Sequence, residues 1–136
     1  MIDRVFLDTN PIIYLLNDIY PYKQKVRDFL VQHKNAEFYT STITDVEFLV
    51  QPYREKDFET VQLYMRFITS LHICKCFIND KIADRAAQIR AEYSGIKLGD
   101  SLQLASGLDC GCTHFLTNDA QLRQVTAANI VYLGDL

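Results

Sequence analysis

The chain has 136 residues, 49% of them apolar, enough for one domain that buries roughly two-thirds of its unfolded surface without needing staples. Fourteen Lys and Arg against seventeen Asp and Glu leave a net charge of −3, which argues against a generally basic nucleic-acid binder but leaves room for a local basic patch. The longest apolar runs, such as IIYLL at 12–16, fall far below the roughly 18 residues of a membrane-spanning helix. An N-terminus carrying Asp3 and Asp8 does not follow the order of a secretory signal, so a single domain over 1–136, in the cytoplasm and without a membrane segment, is expected.

Short β-rich runs alternate with longer helix-like stretches, the pattern of an α/β domain with a largely parallel central sheet flanked by helices. RVFLD reads as the first strand, and Pro11 fits the opening turn of a helix carrying Ile12, Ile13, Leu15 and Leu16. A second helix is predicted over 23–32, and AEFYTS is the next strand. A helix follows from near Thr44, with Glu47 in its first turn and Pro52 near its end. Further helices are predicted over 56–70 and 80–93, separated by the strand-like LHICKCF. GDSLQLASG at 99–107 is a helix with Asp100 as a plausible N-cap. THFLTND then gives a strand ending at Thr117, Asn118 and Asp119, followed by a short helical segment and a final strand at NIVYL.

Four cysteines fall in two C-x-C pairs, Cys74 with Cys76 and Cys110 with Cys112. Structural zinc sites more often use C-x(2–4)-C spacing, and HICKCFI is apolar, so reduced buried thiols are expected. His33, His72 and His114 accompany no nucleophile elbow, P-loop or dinucleotide fingerprint, and core or surface roles are expected for them.

Asp8, Glu47, Asp100 and Asp119 are far apart in sequence, yet each falls at or shortly after a predicted helix start. In an open parallel sheet, strand C-termini and the helix N-termini that follow share one edge, where the switch-point crevice binds ligands. Four carboxylates gathered there need compensation: two of them 4 Å apart repel by about 4 kcal/mol at an effective dielectric near 20. An all-oxygen set suits Mg²⁺ or Mn²⁺ better than Zn²⁺, and a metal-activated water at such a site hydrolyses phosphodiesters. Each acid also has a local explanation. Asp8 and Asp100 are N-cap types, Asp119 suits a turn, and Thr44-x-x-Glu47 matches a capping box.

FLDTNPIIYLL with Asp8, STITDVEFL with Glu47, LGDSLQLASGL with Asp100 and FLTND with Asp119 resemble, in order and approximate spacing, the motifs of PIN-domain ribonucleases, particularly VapC-type toxins. The resemblance runs along nearly the whole chain. It implies a PIN-like α/β/α sandwich, Mg²⁺ or Mn²⁺ in an acidic pocket, and hydrolysis of RNA by activated water. Asp8, Glu47, Asp100 and Asp119 match the family's acidic quartet as catalytic and metal-holding residues. Asn10, Thr117 and Asn118 match polar positions that orient water or support the metal ligands. Homodimerisation and neutralisation by a cognate antitoxin, whose tail fills the acidic groove, are implied as well.

The third motif departs from the family in carrying Ser101, Ser106 and Gly107 where similar proteins frequently have Ala. Gly107 is expected to weaken its helix by about 1 kcal/mol relative to Ala. Arg54, Lys56, Lys97 and Arg123 are candidate phosphate contacts, with solvated surface the preferred reading. Tyr14, Leu15, Tyr53, Tyr64 and Phe67 are candidate interface groups, with core the preferred reading. Two alternatives remain beside the nuclease. A haloacid-dehalogenase-like phosphatase would use Asp8 as nucleophile, although Asn10 stands where that family has a second Asp. A non-catalytic PIN-like module would bind RNA or protein without cleaving.

Overall fold

Five parallel strands in the order β3-β2-β1-β4-β5 form the central sheet of the computed structural model, which describes residues 1–136. The strands are β1 (Arg4–Leu7), β2 (Glu37–Ser41), β3 (Cys74–Cys76), β4 (His114–Thr117) and β5 (Ile130–Tyr132). The helices are α1 (Thr9–Leu16), α2 (Tyr22–Gln32), α3 (Thr42–Arg54), α4 (Phe58–Ser70), α5 (Asp80–Glu92) and α6 (Leu98–Asp109), with short 3-10 turns at Ala120–Gln124 and Leu133–Asp135. The expected α/β/α sandwich is borne out.

Strands covered on both faces must be apolar on both, and β1 shows why its residues take the centre. Val5 and Leu7 point into a core shared with Ile12, Phe29, Phe48 and Tyr64, on the side of α1 to α4. Phe6, between them, points to the opposite core with Ile82, Ile89, Leu104 and Phe115, on the side of α5 and α6. Phe6 and Phe115 stack at 5.0 Å with their rings 4° from parallel. An ideal Cβ at Gly107 would lie 3.3 Å from Phe115 Cδ2 and 3.4 Å from Phe6 Cγ. Gly107 therefore serves close approach of α6 to the sheet, which corrects its reading as merely a weak point in the helix.

Several boundaries move. α3 begins at Thr42, capped by Ser41, whose Oγ accepts from Ile43 N at 3.1 Å. Glu47 consequently sits in the second turn and makes no capping box with Thr44. α6 begins at Leu98 with Lys97 at the cap, placing Asp100 inside the first turn rather than at the cap. The strand read across LHICKCF shortens to Cys74–Cys76.

The expectation of buried thiols is also corrected, for Cys74 and Cys112. Cys76 faces the α5/α6 core from β3 and Cys110 caps the C-terminus of α6, and their sulfur atoms are brought side by side. Cys74 is exposed and Cys112 half-buried, both as free thiols. Tyr64 is core, as expected of that aromatic set, whereas Tyr53 is exposed. No helix is long and apolar enough to cross a membrane.

Candidate active site

The strand order reverses beside β1: the chain steps from β1 outward to β2 and β3, then returns to place β4 on the other side of β1. The C-terminal ends of β1 and β4 thus flank the switch point, where a parallel sheet opens a crevice. Asp8 follows β1 there, and Asp119 follows β4 after Asn118.

Asp8 caps α1, with Oδ1 accepting from Thr9 N at 2.9 Å and Oδ2 accepting from Thr117 Oγ1 at 2.8 Å. Its own backbone N–H donates to Leu116 O at 3.0 Å, pinning the residue to β4. Only 5% of Asp8 is exposed, and this burial drives its pKa up to about 6. The bonds from Thr117 and Thr9 oppose the rise, and Glu47 and Asp119 add to it. Thr117 also accepts the backbone N–H of Asp119 at 3.0 Å, so one hydroxyl ties the two acids together. Asp119 in turn caps the 3-10 turn after β4, accepting from Gln121 N at 2.9 Å.

Asp100 reaches the same place from the first turn of α6. Burial pushes its pKa up to about 7, reinforced by the charges of Asp8 and Asp119, a side-chain hydrogen bond with Asp119, and the charge of Glu47. Glu47 comes from α3 and accepts from Thr9 Oγ1 at 2.8 Å. Its other oxygen lies 3.4 Å from where a Cβ at Gly99 would stand, beside Asp100. All four predicted acids therefore meet at one edge of the sheet.

The predicted polar positions divide. Thr117 is fully buried and holds Asp8. Asn118 donates to Tyr14 Oη at 2.9 Å, tying the β4 exit to α1. Asn10 is exposed and takes no part in the network. Arg54, Lys56, Lys97 and Arg123 are all exposed.

Sequence reasoning missed the neutral layer beneath the acids. Gln103 is fully buried, donates from Nε2 to Thr44 Oγ1 at 2.7 Å and Thr9 Oγ1 at 3.2 Å, and accepts from Ser41 Oγ through Oε1. No buried side-chain polar atom is left without a partner. The signal available was spacing: Gln103 lies three residues after Asp100, on the same side of its helix.

The PIN domain model matches residues 5–128. No curated protein matches the chain in sequence. Among solved structures, the fold is similar to a chain of VapBC2 from Rickettsia felis bound to a DNA fragment from its promoter. There the TM-score is 0.79 and the identity 16%, over 95% of this chain and 98% of the other. A toxin-antitoxin complex from Klebsiella pneumoniae contains a chain similar at TM-score 0.72 and 22% identity, over 95% and 97% of the two chains. DNA-bound VapBC from Salmonella typhimurium gives TM-score 0.72 and 19% identity, over 98% and 99%. With the family model spanning all four acidic positions and the five-stranded sandwich in place, the chain belongs to the PIN domain family.

Proposed function

We propose that this chain is a Mg²⁺- or Mn²⁺-dependent ribonuclease of the VapC type, acting through Asp8, Glu47, Asp100 and Asp119. The observation that carries the reading is the convergence of these four carboxylates at the switch-point edge, Asp8 and Asp119 tied through Thr117, and Glu47 held by Thr9 beside the α6 turn of Asp100. A buried acid cluster of this kind costs stability unless a cation or proton offsets it. The donor set fits a hard divalent ion, since all four acids offer oxygen and none of the neighbouring groups described above offers nitrogen or sulfur as a ligand.

When bound there, such an ion supplies an activated water and neutralises phosphate charge. The chain's own residues prepare the site. Thr117 and the Thr9 amide fix the two oxygens of Asp8, and the Thr9 hydroxyl fixes Glu47. Asp100, whose pKa burial and the neighbouring acids raise to about 7 in the metal-free site, would give up its proton as a cation enters.

An antitoxin partner is supported by the toxin-antitoxin complexes that share this fold and by a groove between α1, α2 and α4. Leu15, Leu30, Phe67 and Leu71 give it an apolar floor, and Arg27, Lys34 and Arg66 a basic rim. That pairing suits an amphipathic segment with acidic flanks. Homodimer formation is supported by Val46, Val50 and Tyr53, an exposed apolar stripe at helical spacing on α3.

The test is incubation of a mixed RNA pool with the purified chain and Mg²⁺ or Mn²⁺, comparing wild type, Asp8→Asn and Asp100→Asn, with EDTA as control. Cleavage confined to wild type with metal is expected, and cleavage surviving both substitutions rejects the site. Chelator-insensitive RNA binding without shortened products would favour the non-catalytic module, and a trapped phospho-Asp8 the phosphatase.

A further inference from the structure

At the opposite edge of the sheet, near the N-terminal ends of β1 and β4, Asp3, His33 and His114 each bring one potential ligand atom within 4.8 Å of the others. Asp3 immediately precedes β1, His33 is the C-cap of α2, and His114 opens β4. The five residues from Asp3 to Asp8 span about 16 Å in extended chain, so this cluster is separate from the carboxylate pocket.

Both imidazoles are oriented by bonds at Nδ1. His33 Nδ1 lies 2.8 Å from Phe29 O, a carbonyl that only accepts, so Nδ1 carries the proton. His114 Nδ1 lies 2.9 Å from Thr113 Oγ1, whose own hydrogen is directed to Arg4 O at 3.1 Å. The Thr113 hydroxyl thus holds the His114 ring through Nδ1. In each ring Nε2 is the nitrogen left free of these bonds, the arrangement in which a hydrogen-bond partner at Nδ1 orients a metal-binding histidine. Phe29 stacks on His33 at 4.0 Å, and the two histidine rings meet edge to face at 5.2 Å.

We propose that Asp3, His33 and His114 form a second metal site, selective for a borderline divalent ion such as Zn²⁺, that clamps the start of β1 and β4 to the end of α2. Two imidazoles and one carboxylate suit Zn²⁺ and its transition-metal neighbours, whereas Mg²⁺ prefers all-oxygen ligands. Ligands about 2.0–2.1 Å from a tetrahedral ion stand about 3.3 Å apart. The set closes to that separation by rotation of the exposed Asp3 carboxylate and small adjustment of the half-buried rings. Three protein ligands would leave one position of a tetrahedral ion to water. The clamp joins segments 30 and 81 residues apart, counting from 3 to 33 and from 33 to 114, so a bound ion stabilises the native chain by linkage.

The experiment uses the tag-free full chain, stripped of metal and held in excess Mg²⁺ so that the carboxylate pocket is occupied. Zn²⁺ is titrated calorimetrically and the melting temperature followed. One equivalent of Zn²⁺ is expected to bind and raise Tm, with affinity falling at least about 10-fold in His33→Gln and in His114→Gln. Cys74→Ser is expected to leave it unchanged. Histidine ¹⁵N spectra of the wild type are expected to show both Nε2 resonances shifting with Zn²⁺, a readout that needs no variant to fold. Unshifted Nε2 resonances, absence of Zn²⁺ uptake, or wild-type affinity in both histidine variants would overturn the proposal. None of these readouts depends on RNA cleavage.

Discussion

Thr9 Oγ1 donates to Glu47 Oε1 at 2.8 Å, while the Thr9 backbone N–H donates to Asp8 Oδ1 at 2.9 Å. One residue thus orients two of the four carboxylates, joining the exit of β1 to the second turn of α3. Thr9→Val keeps the shape and the amide but removes the hydroxyl. Glu47 then loses its restraint, and Mn²⁺ affinity and RNA cleavage should each fall about 10- to 100-fold. A Mn²⁺ titration by electron paramagnetic resonance, alongside a cleavage assay, checks this, and an unchanged affinity rejects the positioning role.

Gln103 links α6 to β2, α3 and α1 through Ser41, Thr44 and Thr9. Gln103→Leu preserves volume but takes away the acceptor of the Ser41 hydroxyl in a dry interior, while Thr44 keeps Thr40 and Thr9 as partners. Leaving that one donor unpaired costs about 1–3 kcal/mol. Denaturant unfolding should show a lower midpoint with an unchanged slope, and a wild-type midpoint would mean that the network carries little stability.

How much of this site the sequence discloses depends on whether a residue's role is local. Asp8 and Asp119 are legible because each follows an apolar strand and starts a helical turn, and their caps form with adjacent amides. Glu47 is legible as a residue but not in its place: Ser41 takes the cap, so the Thr44-x-x-Glu47 pattern has no capping task to perform. Asp100 likewise sits past the true helix start. Thr9 and Gln103 carry no charge to draw attention, and their partners lie 38 and 59 residues away in Glu47 and Thr44. Nor does C-x-C spacing disclose that Cys76 meets Cys110 across 34 residues. The sheet's interior strands were easier, since burial on both faces writes itself as an apolar run.

Gly107 offers a test of packing against propensity. Alanine gains about 1 kcal/mol of helix propensity, but its methyl enters a space 3.3 Å from Phe115 and 3.4 Å from Phe6. Both rings are at most 2% exposed and stacked on each other, so neither has room to retreat, and overpacking of a tight core costs about 1–3 kcal/mol. Gly107→Ala should therefore lower Tm despite the better helix former. A raised Tm would show that the rings yield.

The carboxylate pocket should also set how stability responds to pH. Asp8 and Asp100 have folded-state pKa values of about 6 and about 7, raised chiefly by burial from an ordinary 3.8. Between about pH 4 and pH 7 the folded chain therefore binds more protons than the unfolded one, and unfolding free energy falls as pH rises through that window. Without metal, the contribution of these two acids to Tm should decline from pH 4 to 7. Asp100→Asn, which removes the charge, should flatten that decline and raise Tm at pH 7 by a few degrees, about what 1 kcal/mol gives a domain of this size. Mg²⁺ or Mn²⁺ should restore wild-type Tm at pH 7 and have little effect near pH 5, where protons compete for the same oxygens. Calorimetric scans across this range, with and without metal, check both signs. A wild-type Tm that rises toward neutrality to the same extent as that of Asp100→Asn would show that the cluster imposes no such cost.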